Sequence, residues 1–169
     1  AAGHRPTIAL ASEAHVRVMQ RLADIYPAFA PDVHLLGRGR ITRLLRAIGI
    51  GRHSRLLTLL SALPFLRGFD AIVVPERTTT LIRHLLPRHT SLIFTPHGAG
   101  DRAIMLDPRD RHFDFVLVCG EKSEQRLLEA GTIRPGHYAT NGYVKLDLMA
   151  QMQRRRVPLF DNDRPTVVY

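Results

Sequence analysis

The sequence predicts an α/β fold organised around a parallel sheet, and three observations carry that prediction. Apolar runs of strand length recur at 7–11, 32–36, 69–74, 91–95, 113–118 and 138–140. Stretches with apolar residues at helical spacing lie between most of them, the alternation of an α/β chain. The first strand, helix and strand fit within about 30 residues, a connection that joins parallel neighbours, whereas a two-residue turn joins antiparallel ones.

Thr7-Ile-Ala-Leu-Ala11 is the first strand. Ser12 follows as the N-cap, and Glu13 falls in the first helical turn, where the helix dipole favours an acid. Val18, Leu22 and Ile25 then share one side of a helix, with Met19 and Tyr26 beside them, until Pro27 and Pro31 stop it. Gly37-Arg-Gly-Arg40 follows the second strand; it lacks the third glycine and the spaced acid of a dinucleotide fingerprint. Two apolar helices come next, at roughly 42–48 and 54–63, separated by Gly49 and Gly51.

Arginines at 38, 40, 43, 46, 52 and 55 make segment 38–55 basic and amphipathic. Two readings stand side by side. The segment lies on an anionic membrane surface, or it is a crossover whose leucines face the sheet and whose arginines face water. The third strand ends at Pro75-Glu76, and Thr78 to Thr80 begin a helix carrying Leu81, Ile82, Leu85 and Leu86. A charged loop, Asp107-Pro-Arg-Asp-Arg-His112, precedes the fifth strand. Beyond Cys119-Gly120 a helix runs from about Glu121, a helix N-terminal acid, to Ala130, with Gly131 as its C′ residue. The order gives a doubly wound, Rossmann-like parallel sheet with helices on both faces over residues 1–150. Residues 151–163 read as a linker. The strand at 164–169 either joins this sheet or, as we expect, opens a second domain that the sequence cuts short.

Composition narrows the classes. A chain of 169 residues with 45% hydrophobic and 23% charged content is globular, and no apolar run approaches the roughly 20 residues of a membrane span. No secretory leader pattern is visible, and the lone Cys119 builds no disulfide framework and no zinc knuckle. The nine histidines show no metal-site spacing, so no metal is expected. Cytoplasmic localisation follows as the expectation, extended to peripheral attachment on the inner membrane face. The net charge of +9, carried largely by arginine, suits a phosphate-bearing partner.

The candidate centre is Leu92-Ile-Phe-Thr-Pro-His97-Gly-Ala-Gly-Asp-Arg102. A histidine directly after a strand projects into the crevice at the carboxyl ends of an open sheet, where ligands bind. Gly98 and Gly100 let backbone and ligand approach closely, and Asp101 and Arg102 put one charge of each sign on the same loop.

These residues resemble the CDP-glycerol glycerophosphotransferase family, two-domain enzymes of GT-B type that extend teichoic-acid-like polymers. The resemblance runs through Pro96-His97-Gly98, the downstream cation Arg102, Val116-Leu-Val-Cys-Gly-Glu121, Gly142-Tyr-Val-Lys-Leu-Asp147 and Pro165-Thr-Val-Val-Tyr169. It departs at Pro96, Ala99, Val144 and Leu146. It implies that the chain is the N-terminal, acceptor-side half of a GT-B enzyme, inactive by itself. His97 would then be the base, Gly98, Gly100, Asp101, Arg102 and Lys145 would bind substrate and phosphate, and Gly142 and Asp147 would form the hinge or turn, Gly142 serving the turn. The implied partners are a CDP-activated polyol phosphate donor and a polyprenol-linked or polymeric acceptor hydroxyl, with no separate cofactor. UDP-sugar epimerases and glycosyltransferases of the same architecture look similar at these places. A third reading, a non-catalytic basic module binding nucleic acid, finds no aromatic platform interleaved with arginines, so no nucleic acid is expected.

Overall fold

The computed structural model describes residues 6–26, 31–36, 55–96, 98, 106–143, 146, 149 and 150. The chain is α/β with parallel sheets, as the alternation predicts. Strand β1 (Thr7–Leu10) pairs in parallel with β2 (Asp32–Leu35), and helix α1 (Glu13–Ile25) joins them. Strands β3 (Ala71–Val74), β4 (Ser91–Phe94), β5 (Phe115–Val118) and β6 (Tyr138–Thr140) form a second parallel sheet in that spatial order. Helix α2 (Arg55–Leu66) leads into β3, and α3 (Glu121–Glu129) joins β5 to β6. Two 3₁₀ helices, Arg77–Leu85 and Pro108–His112, occupy the other two crossovers. Among the described residues no helix is long and apolar enough to cross a membrane.

Register decides which side of the four-stranded sheet is dry. Ile72 lies opposite Leu92, and Val74 opposite Phe94, which in turn lies opposite Val116. Side chains alternate across a strand, so these residues share one face with Val118. Leu92, Phe94, Val116 and Val118 are buried there with Phe113, Leu127 and Ile133. Ile72 also packs against a second cluster, Ala62, Leu66, Ile82 and Leu86, which brings α2 and the first 3₁₀ helix onto the same face. The opposite face is the more open one, with Val73 exposed and Ile93, Phe115 and Leu117 half-buried.

Several elements differ from the sequence expectation for identifiable reasons. The helix expected after Thr78 is a 3₁₀ helix: Thr80 donates its hydroxyl to the Arg77 carbonyl three residues back at 2.7 Å. Three successive β-branched threonines also crowd an α-turn. The loop at 107–112 is likewise a 3₁₀ helix, begun by the Asp107 carboxylate accepting from the Arg109 amide at 2.9 Å. Helix α2 runs past 63 to Leu66 through an exposed Pro64. Ser12 sits at the N-cap with extended backbone, but its hydroxyl engages His15 Nδ1 at 3.1 Å and caps no amide.

Strand β5 starts two residues late because Asp114 serves the ladder with its side chain. Its carboxylate accepts from the Leu92 amide at 2.8 Å and its own amide donates to the Leu92 carbonyl at 2.9 Å. Arg83 reaches the same carboxylate at 3.1 Å, and the His137 ring meets the Asp114 carbonyl at 3.0 Å. Gly131 terminates α3 as expected, with φ of 63°; its amide bonds the Leu128 carbonyl and that of Thr132 bonds Leu127, a Schellman arrangement. The basic segment 38–54, the linker 151–163 and the strand at 164–169 lie outside the described residues.

Candidate functional site

All four strands of the larger sheet run the same way, so their carboxyl ends form one rim. The chain leaving β4 is held there at two points, Thr95 and Gly98. The Thr95 amide donates to the Val74 carbonyl at 2.9 Å and ties the exit of β4 to β3. On the other side the Cys119 thiol, at the end of β5, lies 3.8 Å from the Gly98 carbonyl. His97 itself, with Gly100, Asp101 and Arg102, lies outside the described residues. Gly98 is half-buried without a positive φ, and a Cβ built there meets open space. Its neighbours in the fold therefore do not require glycine.

The end of β6 is tied to the same rim. The Asn141 amide donates to the Val118 carbonyl at 3.0 Å. With its side-chain amide turned to suit its surroundings, the nitrogen also reaches the Val118 and Gly142 carbonyls, at 3.1 and 3.2 Å. Gly142 has φ of 73°, a conformation that glycine alone adopts freely, in keeping with a turn. Lys145 and Asp147 lie outside the described residues.

Two groups at this rim were not singled out from sequence. Glu124, in the first turn of α3, accepts from the Tyr138 hydroxyl at 2.7 Å and the Thr140 hydroxyl at 2.6 Å. The Thr140 and Tyr138 hydroxyls hold its carboxyl below the usual range, and Glu124 in return raises the Tyr138 phenol. The sequence signal was the i, i+2 pair on β6, which puts both hydroxyls on one face. Arg77, three residues beyond β3, donates to both oxygens of Asp110 at 2.6 and 3.0 Å. Its guanidinium carbon lies 4.7 Å over the Phe94 ring.

Burial raises the Asp110 carboxyl, against the pull of the Arg77 hydrogen bonds. Asp107 goes the other way, from its usual 3.8 to about 2, chiefly through its hydrogen bond with Arg109. A depressed carboxylate stabilises the fold above its unfolded value and loses that contribution as pH falls through the folded one. The melting temperature is therefore expected to fall between about pH 4 and 2 more steeply in the wild type than in Asp107→Asn. Parallel profiles in a thermal denaturation series would remove Asp107 as the cause.

Burial also pushes the Cys119 thiol up, so it is protonated at neutral pH and a poor nucleophile. No cluster of three or more metal-ligating side chains occurs among the described residues. A cavity of about 850 Å³ lies elsewhere, between α1, β2 and α2, lined by Glu13, Arg17, His34 and Phe65 among others. Its lining includes none of the rim residues, so we place the candidate site by strand topology and not by cavity size. Among the described residues the rim sets Gly98 beside Cys119, the residue before the Gly120 N-cap of α3. No family model, curated protein or solved structure matches the chain.

Proposed function

We propose that the chain is the acceptor-side, Rossmann-like half of a GT-B enzyme moving glycerol phosphate, or a related polyol phosphate, from a CDP-activated donor to an acceptor hydroxyl. The observation that supports the reading is the tie of Thr95 to β3 and of Gly98 to Cys119 at the carboxyl rim of a parallel sheet, where such folds bind ligands; in the sequence His97 stands between them. The ordered resemblance along 92–147 adds the donor class.

In this reaction the acceptor oxygen attacks the β-phosphorus of CDP-glycerol. A new P–O bond forms, the bond to the bridging oxygen breaks, and CMP leaves. The acceptor proton passes to His97, an imidazole being a base suited to neutral pH. Arg102 and Lys145 stabilise the charge on the transferred phosphate, and Asp101 orients the ring. In an enzyme of GT-B type the nucleotide is held mainly by the second domain. Attachment through segment 38–55 to the inner membrane face would bring the site to a polyprenol-linked acceptor.

His97→Ala in the full-length enzyme is expected to lower turnover with CDP-glycerol by about 10²–10⁴-fold while leaving the melting temperature unchanged. A variant that keeps most of its rate overturns the assignment of the base. A thermal-shift panel of CDP-glycerol, CDP-ribitol and UDP-sugars separates this reading from a sugar-nucleotide enzyme of the same architecture, which a response to UDP-sugars alone would establish.

A further inference from the structure

The cavity of about 850 Å³ between α1, β2 and α2 shares no lining residue with the rim of the larger sheet. Its floor is apolar and continuous with the core: Ala62 is buried, and half-buried Leu36 and Phe65 pack against the cluster that Ala62 forms with Leu66, Ile82 and Leu86. One wall is aromatic. The His34 and Phe65 rings stack with centroids 3.8 Å apart and planes 10° from parallel, and Phe69 meets Phe65 edge-on at 4.9 Å. These contacts fix the orientation of the wall, and aromatic surface of this kind receives a further ring in offset-stacked or edge-on geometry.

The mouth is polar. Glu13, Arg17 and Gln20 are spaced by four and three residues, so one face of α1 turns all three to the cavity. The Ser61 hydroxyl donates to the Thr58 carbonyl at 2.8 Å and keeps its lone pairs for an incoming donor. Two of the lining residues are charged, Glu13 and Arg17; Arg21, Asp24 and Asp32, the next charges along the same elements, do not line the cavity. Glu13 already has a partner of its own. The Arg17 side chain is exposed and has no ion pair among the described residues. An apolar floor with a few polar groups at the mouth, in a space of about 300–1,000 Å³, is the usual make-up of a small-molecule site.

We propose that this cavity binds a small aromatic monocarboxylate, its ring against the His34–Phe65 wall and its carboxylate on the Arg17 guanidinium. A guanidinium holds a carboxylate through two parallel hydrogen bonds. With the Glu13 carboxylate one helical turn away, the mouth balances one negative charge and repels the second charge of a phosphate monoester. Arg17 in turn repels a cation. The site stands or falls independently of the transfer chemistry at the rim.

The test is isothermal titration calorimetry of the full chain with probes that share one ring system and differ in charge: naphthoate, naphthyl phosphate and naphthylmethylamine. Naphthoate is expected to bind with a dissociation constant below about 1 mM, about tenfold tighter than the other two. Decalin carboxylate, which keeps the charge and loses the aromatic ring, should bind more weakly than naphthoate. Arg17→Gln is expected to weaken naphthoate binding by about 10–100-fold, and His34→Ala by about 2–10-fold. Both side chains are exposed, so melting temperatures should stay near the wild-type value. Arg88→Gln removes the same charge from an exposed position outside the cavity and should leave binding unchanged. The probe series on the wild type decides the matter even where a variant fails to fold. Absence of naphthoate binding overturns the proposal. So does equal binding of the phosphate, the amine or the decalin acid, or an Arg17→Gln effect no larger than that of Arg88→Gln.

Discussion

Arg77→Ala is expected to destabilise the protein by about 3–5 kcal/mol, the cost of leaving a buried charge without its partner. Asp110 is only 2% exposed, and both its oxygens are held by Arg77. The same substitution removes a cation from the face of Phe94, a further loss of about 0.5–2 kcal/mol by itself. Burial already raises the Asp110 carboxyl, so without Arg77 it takes up a proton more readily than in the unfolded chain. A group raised in this way stabilises the fold below its unfolded value and ceases to as pH climbs through the folded one. The deficit should therefore be largest at neutral pH and shrink on acidification. Replacing both partners, Arg77→Met with Asp110→Leu, should recover most of the loss, because apolar groups of similar size carry no desolvation cost. Urea unfolding at two pH values checks both statements. A single variant within about 1 kcal/mol of wild type would mean that the pair is hydrated and of the ordinary surface kind.

Leu92→Ala is expected to cost about 2–5 kcal/mol. Leu92 is fully buried on the central part of the sheet, between Ile72 of β3 and the Phe113 and Val116 side chains. Strands on both sides fix its surroundings, which limits how far the site can collapse around a deletion. Leu81→Ala, at a leucine that is largely exposed, should change the same measurement by less than about 0.5 kcal/mol. Equal effects at the two positions would contradict the assignment of the dry face.

The strands were legible because parallel strands buried by crossovers read as continuous apolar runs; 91–95 and 113–118 are such runs, and β4 and β5 lie within them. The end of α3 was legible because Gly131 supplies the left-handed residue that a Schellman close needs. The 3₁₀ helix at Arg77–Leu85 was not, since apolar residues at 81, 82, 85 and 86 mark a helix without fixing its type. Asp114 was hidden for a different reason. Within Phe113-Asp-Phe-Val-Leu-Val118 an acid looks like a blemish in a strand, and only the tertiary register shows it completing the ladder at Leu92. Of the site, the rim positions of Pro96 and Gly98 could be derived from strand polarity, whereas the pairings of Glu124 and Arg77 depend on partners 14 to 33 residues away.

The in-order arrangement of β3 to β6 has a kinetic consequence. Each strand finds its neighbour already made, so during synthesis the sheet can lengthen one strand at a time as the polypeptide leaves the ribosome, with every new pairing closing a single crossover. Translation and assembly can then proceed in the same direction, and the growing edge is always the most recently synthesised strand.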